Sequence, residues 1–269
     1  MSTLTRLYLL VVGIIGLVAG VALLGGATST ADFFAWPIAP PQTARFMGAG
    51  YLGTGIVLLA GLWIGSWRAI RLIVPPVLVF ATTMVAATLL HADRFRWDRM
   101  ITWVWLGLYI VIVLGAVAIG MVEARRGTTP EGPIRLSTAE RLAMTGSGVA
   151  MAAWALAFFF FPTEAASLWP WALSPLTGRV IAGWVAVGAV LALVAARDGS
   201  AEDVWLPAAG WALSVGLFVA VSLVYLDAFA ASSLHVGLYF AALTLSVLGA
   251  IYLVARSRRL LGATRTPPG

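Results

Sequence analysis

Two arginines and two aspartates of this sequence recur at one fixed separation. Arg45 and Arg179 lie 134 residues apart, and the same separation carries Asp93 onto Asp227. A guanidinium group binds a carboxylate or a phosphate through two parallel hydrogen bonds. The four residues therefore predict either two ion pairs or a site that holds an anionic ligand.

The ion-pair interpretation rests on the helices predicted around these residues. Arg45 lies in the first turns of one apolar segment and Asp93 lies at the end of the next; Arg179 and Asp227 occupy the corresponding places later in the chain. Helices joined by a short loop run antiparallel, so we expect the pairs Arg45–Asp93 and Arg179–Asp227. In the alternative interpretation, the two arginines converge between the two copies and bind an anion.

The residues around the first aspartate form a basic and aromatic loop, HADRFRWDR, from His91 to Arg99. Arg94, Arg96 and Trp97 are of the types that bind lipid phosphates and lie among lipid headgroups. The corresponding segment of the second copy, YLDAFAASS, has neither these arginines nor the tryptophan. The loop is therefore either a ligand- or lipid-binding element or an interfacial anchor.

The two histidines are weak candidates for metal or haem ligation. His91 ends one predicted helix and His235 begins another, and the chain has no cysteine. A metal held by two histidines would need a further ligand such as Asp93 or Asp227. Because His91 matches Tyr225 at the 134-residue separation, the repeat offers no symmetric ligand set. We predict no cofactor and no metal, and keep haem as an alternative.

The elements that position these residues are apolar helices. Of the 269 residues, 61% are hydrophobic and 10% are charged, whereas about 25% are charged in a soluble domain. The mean hydropathy is +0.96. Segments of about 20 apolar residues, long enough to cross a bilayer as helices, recur at 5–27, 43–66, 72–91, 100–122, 139–161, 177–196, 204–226 and 234–255. The sequence predicts an all-α integral membrane protein with eight transmembrane helices.

The fixed separation extends to uncharged residues. Matches at 134 residues, or at 133 for the tryptophans, are Pro41 with Pro175, Thr43 with Thr177, and Trp36-Pro37 with Trp169-Pro170. They predict two tandem four-helix repeats, which are parallel because four spans return the chain to its starting side. The predicted domains are a first repeat (1–122), a cytoplasmic linker (123–138), a second repeat (139–257) and a cytoplasmic tail (258–269).

Four local patterns add detail to this arrangement. Ser137 and Glu140 predict a capping box at the start of the fifth helix. Ser174 with the following proline predicts an N-cap and a first helical turn. The glycines of the second helix predict close helix packing; they are Gly48, Gly53 and Gly55. The tryptophans of the Trp-Pro segments are expected at the depth of the lipid headgroups.

The arginines predict the orientation in the membrane. All 17 basic residues are arginine, and the predicted spans place twelve of them on the side of the two termini and five on the other side. By the positive-inside rule, both termini face the cytoplasm of a multi-pass protein in the cell membrane. The arginines lie in short loops, so the pI of about 10.5 indicates topology and no nucleic-acid partner. The Trp-Pro segments look like those of prokaryotic membrane proteins.

The sequence favours a non-enzymatic function, because it contains no phosphate-loop, serine-hydrolase or zinc-protease motif and no charge in the middle of a span. Our first hypothesis is binding or transport of a small amphiphile, lipid or anion in an outward-facing site between the repeats. The alternatives are a scaffold or accessory subunit with a membrane-protein partner, and an extracytoplasmic membrane enzyme or haem protein. The residues expected to line or gate the site are Arg45, Arg179, Asp93, Asp227, His91, Arg94, Arg96, Trp97, Trp36 and Trp169.

Overall fold

A computed structural model describes residues 1–127, 134–229 and 232–263. The described residues are helical apart from short connections and one isolated β-bridge between Arg135 and Ser200. The α-helices are, in chain order, α1 (Thr3–Gly25), α2 (Thr30–Phe33), α3 (Pro41–Ile64), α4 (Trp67–Ile70), α5 (Val74–Leu90), α6 (Met100–Arg125), α7 (Thr138–Phe160), α8 (Pro162–Ala166), α9 (Pro175–Asp198), α10 (Ala201–Val224) and α11 (Ser233–Ala263). Two 3₁₀ turns, Ala92–Arg94 and Leu226–Ala228, follow α5 and α10.

Seven of these helices in the described chain are long and apolar enough to cross a bilayer: α1, α3, α6, α7, α9, α10 and α11. The remaining predicted span, 72–91, is the apolar helix α5, which has 17 residues. At 1.5 Å per residue α5 is about 26 Å long, slightly less than the roughly 30 Å of a hydrocarbon core. The protein is therefore all-helical and has the helices of a multi-pass membrane protein.

The first two long helices of each half pack closely along each other; the first half comprises α1 to α6 and the second half α7 to α11. Helix α1 packs along α3 as α7 packs along α9. A Cβ atom added to Gly55 would lie 2.8 Å from the carbonyl oxygen of Gly13, and one added to Gly48 would lie 3.0 Å from that of Gly20. Glycine thus lets the α1 and α3 backbones touch, which confirms the packing role predicted for both α3 glycines.

The middle helices of each half pack against the opposite half. Helix α3 packs along α10, and α5 packs along α9. Gly53 takes part in the first of these contacts, since a Cβ atom there would lie 2.8 Å from the Cα atom of Ser214. The last helices complete the arrangement, with α6 on α5 and α11 on α10. The expectation that α3 and α5 lie side by side is wrong, because α3 finds its small-residue partner across the molecule.

The helix bundle has two ends, which we name by what lies there. At the tryptophan end lie Trp36, Trp169, Trp171 and the two 3₁₀ turns, and at the linker end lie Ser2, Arg71, Ser137 and Asp203. The predicted capping box starts α7 at the linker end, where Ser137 and Glu140 bond each other's backbone N–H groups. At the tryptophan end Ser174 caps α9 and Pro175 is its first residue, as predicted.

Candidate functional site

The tryptophan of the first Trp-Pro segment lies inside an aromatic cluster. The ring of Trp36 lies 4.8 Å from that of Phe34 and 5.0 Å from those of Phe95 and Trp105. The indole N–H of Trp105 donates a hydrogen bond of 3.0 Å to the hydroxyl of Thr88 on α5. The cluster therefore connects the loop before α3 to the facing ends of α5 and α6.

A second aromatic cluster is built in the same way around Trp171. Its ring lies 5.4 Å from Phe229 and 5.8 Å from Tyr239. The hydroxyls of Tyr239 and Ser222 are 2.8 Å apart. Phe229, Tyr239 and Ser222 each lie 134 residues after their counterparts in the first cluster. The second cluster has one further bond, because the indole N–H of Trp171 donates to the hydroxyl of Thr43 in the other half at 3.0 Å.

These clusters correct the expected place of the tryptophans. Trp36 and Trp171 are each 2% exposed, so their indoles pack in the protein and not among lipid headgroups. Trp169 is half-buried and lies 5.8 Å from the ring of Phe46 and 5.3 Å from that of Tyr239. The Trp-Pro segments thus fill the tryptophan end of the bundle, because large aromatic side chains gain most when they are removed from water on all sides.

At the tryptophan end, each of the recurring arginines contacts a residue of the opposite half. Nη1 of Arg179, on α9, lies 2.6 Å from Nε2 of His91, the residue that ends α5. The guanidinium carbon of Arg45, on α3, lies 3.7 Å from the ring centroid of Tyr225, the residue that ends α10. Both contacts join the helix pairs that cross between the halves. Each arginine also has a buried Nε atom without a hydrogen-bond partner.

The predicted ion pairs are not formed in the described part of the chain. Asp93 pairs with its neighbour Arg94 at 3.1 Å, and its side chain is 72% exposed; Asp227 is exposed as well. The physical reason is the crossed packing, which brings Arg45 to the end of α10 and Arg179 to the end of α5. His91 ends α5 two positions before Asp93, and Tyr225 ends α10 two positions before Asp227.

The contact with Arg179 requires a neutral imidazole. Since the guanidinium can only donate, Nε2 of His91 accepts the hydrogen bond and the ring carries its proton on Nδ1. Burial lowers the pKa of His91 below its ordinary value, and the charges of Arg179 and Arg94 lower it further, while Asp93 acts in the opposite direction. The neutral form that the geometry requires is therefore also the form that the electrostatics favour.

The basic and aromatic loop is largely committed to contacts within the protein. Nη1 of Arg96 donates to the carbonyl oxygen of Ala31 at 2.5 Å, and the indole N–H of Trp97 donates to that of Ala92 at 2.7 Å. Phe95 is buried. Arg94 remains exposed beside its aspartate. Of the two loop arginines predicted to bind lipid or ligand, the structure leaves Arg94 accessible and uses Arg96 to position the loop.

The histidines occupy different environments. His91 contacts Arg179, whereas His235 lies half-buried in the first turn of α11, where its backbone N–H donates to the hydroxyl of Ser232 at 3.4 Å. Within the described ranges, no group of three or more histidine, cysteine, aspartate or glutamate residues is arranged to hold a metal ion.

A cavity of about 110 Å³ lies between the two halves, and sequence reasoning missed it. Six helices surround it: α1, α3, α5 and α6 of the first half, and α9 and α10 of the second. Its walls are almost entirely apolar, and none of the described residues that line it carries a charge; they include Val12, Tyr51, Val77, Tyr109, Val187 and Gly210. None of the predicted site residues lines this cavity.

Two polar features of the wall belong to aromatic residues, and Thr54 and Ser214 add further hydroxyl groups. The hydroxyls of Tyr51 on α3 and Tyr109 on α6 are 2.5 Å apart. The indole N–H of Trp184 on α9 is buried without a hydrogen-bond partner, and its ring lies 5.1 Å from that of Tyr51 and 4.3 Å from that of Phe80. Tyrosines in the middle of apolar segments were the available sequence signal for this site, since a phenol in a membrane needs a hydrogen-bond partner.

A buried charged contact at the linker end was also missed. Asp203, 1% exposed, accepts hydrogen bonds from Nη2 of Arg71 at 2.7 Å and from the hydroxyl of Ser200 at 2.8 Å. Nε of Arg68 lies 3.7 Å from its second oxygen. The two arginines belong to the connection between α3 and α5, so this contact joins the halves opposite the tryptophan end.

Comparison of the chain with protein-family models, with curated proteins and with solved structures finds no match.

Proposed function

We propose that the protein binds a small, uncharged and largely apolar molecule from the bilayer in the cavity between its two halves. The observation that carries this proposal is the cavity itself: about 110 Å³, surrounded by six helices from both halves. An apolar cavity of about 150 Å³ in another protein holds benzene. The cavity is therefore suited to a small ring or to a short segment of a longer amphiphile.

The residues that line the cavity favour one of the ligand classes expected from the sequence over the others. An anion would lose several kcal/mol on leaving water for a site without a compensating charge, and none of the described residues that line the cavity is charged. A neutral oxygen atom on the ligand has a donor available in the hydroxyl pair of Tyr51 and Tyr109, which both line the cavity. A neutral amphiphile fits this site better than an anion does.

The contacts at the tryptophan end act as gates in this proposal. Arg179–His91 joins α9 to α5, and Arg45–Tyr225 joins α3 to α10. All four helices contribute to the cavity wall. Opening either contact separates two of these helices and lets a ligand move between the cavity and the tryptophan end, so the arginines control access and do not bind the ligand themselves.

The membrane arrangement proposed with this function has eight spans, including α5, in two parallel four-helix repeats. The matched contacts of the two aromatic clusters and the matched helix packing support the repeat. The excess of arginine at the linker end supports a cytoplasmic location for that end and for both termini of the chain. The tryptophan end then faces outward across the cell membrane.

Photolabelling tests the proposed function. A small phenol that carries a diazirine, added to the protein in lipid nanodiscs, should label peptides of α3, α6 and α9 that line the cavity. Val187→Phe, which fills the cavity, should lower this labelling about tenfold, the factor that corresponds to about 1.4 kcal/mol of lost affinity. Val149→Phe is the matched control, because Val149 is exposed on α7 away from the cavity.

Two results would decide against the binding function. Labelling spread evenly over lipid-facing helices, or labelling that Val187→Phe leaves unchanged in a protein with an unaltered melting temperature, would show that the cavity takes up no ligand. The scaffold hypothesis would then account better for the many contacts that join the halves.

A further inference from the structure

The groove between the start of α7 and the end of α9 forms a second cavity, of about 490 Å³, at the linker end. Its lining combines cationic, hydroxyl and apolar side chains, among them Arg141, Arg197, Thr138, Thr145, Leu142 and Leu193. It shares no residue with the central cavity. The groove lies at the ends of two apolar helices, at the depth where lipid headgroups meet the hydrocarbon region.

The two arginines retain free donors toward the groove. Nη2 of Arg141 donates to the backbone carbonyl of Arg197 at 3.2 Å, and Nε of Arg197 lies 3.4 Å from the carboxylate of Asp198. The side chain of Arg197 is 85% exposed. A guanidinium has five N–H donors, so each arginine can bind an oxyanion while it keeps these contacts. Asp198 reduces the positive potential and leaves two cations against one carboxylate.

The corresponding positions of the first half carry different side chains. Arg6 is the fourth residue of α1 as Arg141 is of α7, but the position on α3 that matches Arg197 is Trp63, which is 90% exposed. The first half therefore has one arginine and an exposed indole at these positions, whereas the second half has two arginines.

The wall below the arginines is suited to a hydrocarbon chain. Leu142 is 68% exposed, and the next turns of α7 expose Val149 and Leu156 on the membrane side. Few residues of α7 are buried in the protein. A free phosphate ion would use the arginines alone, whereas a phospholipid would use the arginines and this apolar face.

We infer that the α7–α9 groove binds an anionic phospholipid, with its phosphate between Arg141 and Arg197 and an acyl chain along α7. Paired arginines bind phosphate oxygens in a bidentate manner, and basic grooves at the ends of transmembrane helices attract anionic headgroups. This site is independent of the central cavity, because it uses different residues on the lipid-facing surface.

Native mass spectrometry of the full chain tests this inference with phosphatidylglycerol and phosphatidylcholine in separate titrations. The protein should retain phosphatidylglycerol in preference, and Arg197→Gln should lower that retention about fivefold. Arg197 is exposed, so its loss leaves the fold intact. Arg6→Gln is the matched control and should change retention less than twofold.

Three outcomes would overturn the inference. The first is equal retention in Arg141→Gln, Arg197→Gln and the wild type. The second is an equal loss in Arg6→Gln, which would indicate attraction to net charge without a specific groove. The third is displacement of the bound lipid by excess inorganic phosphate, which would show that the groove selects a free anion and that its apolar wall contributes nothing.

Discussion

The two arginine contacts at the tryptophan end occupy matching positions and differ in chemistry. Arg179 donates a hydrogen bond to the neutral ring of His91, whereas Arg45 lies over the aromatic face of Tyr225. Protonation abolishes the first contact, because the imidazole then has no free lone pair. The second contact is made to the face of a phenol ring and involves no imidazole nitrogen that could be protonated. Matching positions of the two halves thus carry one contact that depends on the protonation of a histidine and one that does not.

The largest effect is expected at the buried tryptophans. Trp36→Ala and Trp171→Ala should each lower the free energy of unfolding by about 3–5 kcal/mol, because each removes the centre of an aromatic cluster. Trp171→Ala should cost about 1 kcal/mol more, since it also leaves the hydroxyl of Thr43 without its donor. Thermal unfolding in detergent measures both.

Trp63→Ala is the control for the tryptophan variants, because Trp63 is 90% exposed. Its melting temperature should stay close to that of the wild type. Equal destabilisation by Trp36→Ala and Trp171→Ala would contradict the additional contribution that we assign to the bond between the halves.

Loss of the arginines should give the next largest effect. Arg179→Ala removes a charge-assisted hydrogen bond and should cost about 1.5–2 kcal/mol, whereas Arg45→Ala removes a cation–π contact and should cost about 0.5–1 kcal/mol. The difference appears as a lower melting temperature for Arg179→Ala at pH 7.5. Equal melting temperatures would mean that the two contacts are energetically alike despite their chemistry.

A smaller effect is expected when the pH falls. The folded-state pKa of His91 lies below its unfolded value, so below about pH 6.5 the unfolded chain binds more protons than the folded one. Stability should therefore decrease from pH 6.5 downward until the lowered folded pKa is passed. His91→Tyr gives the first half the residue that the second half has at Tyr225. The melting temperature of this variant should fall less than that of the wild type as the pH is lowered.

The pH prediction fails if the wild type and His91→Tyr lose stability in parallel between pH 7.5 and 5. The charged groups that act on His91 are Arg179 from α9, and Asp93 and Arg94 from the adjacent turn. Arg179→Ala is therefore an additional test, because without the guanidinium beside it His91 should titrate at higher pH.

The smallest effect is expected at the exposed ion pair. Arg94→Ala gives the first loop the residue that the second half has at Ala228 and removes a contact to Asp93 whose two side chains are more than 70% exposed. Such pairs contribute about 0–0.5 kcal/mol. Arg96→Ala should cost more, about 1 kcal/mol, because Arg96 donates to the carbonyl of Ala31. Thermal unfolding of the two variants side by side checks this order.

Local sequence patterns predicted much of the fold. Apolar length located the long helices within a few residues, except that α11 continues to Ala263. The capping box at Ser137 and the N-cap at Ser174 start α7 and α9 as expected. The 134-residue separation also applies to contacts that were not predicted, such as Trp105 with Thr88 and Tyr239 with Ser222. These features depend on residues close in sequence or on a repeated pattern, and both are visible in one chain.

Helix neighbours and the cavity could not be predicted in this way. The pairing of Arg45 with Asp93 assumed that helices joined by a short loop lie side by side, but α3 packs along α10 because small residues such as Gly53 let the backbones approach there. The cavity arises from the volumes left between side chains of six helices. No short segment of sequence contains that information.

The crossed packing of α3 and α10 has a consequence for biogenesis. About 140 residues separate the end of α3 from the start of α10, so a ribosome that adds about 5–20 residues per second needs roughly 10–30 s to supply the partner. During this interval the part of α3 that contains Gly53 lacks its native neighbour α10 in the nascent chain. Insertion must therefore proceed with an open groove on α3 that lipid or an insertion factor covers until the second half arrives.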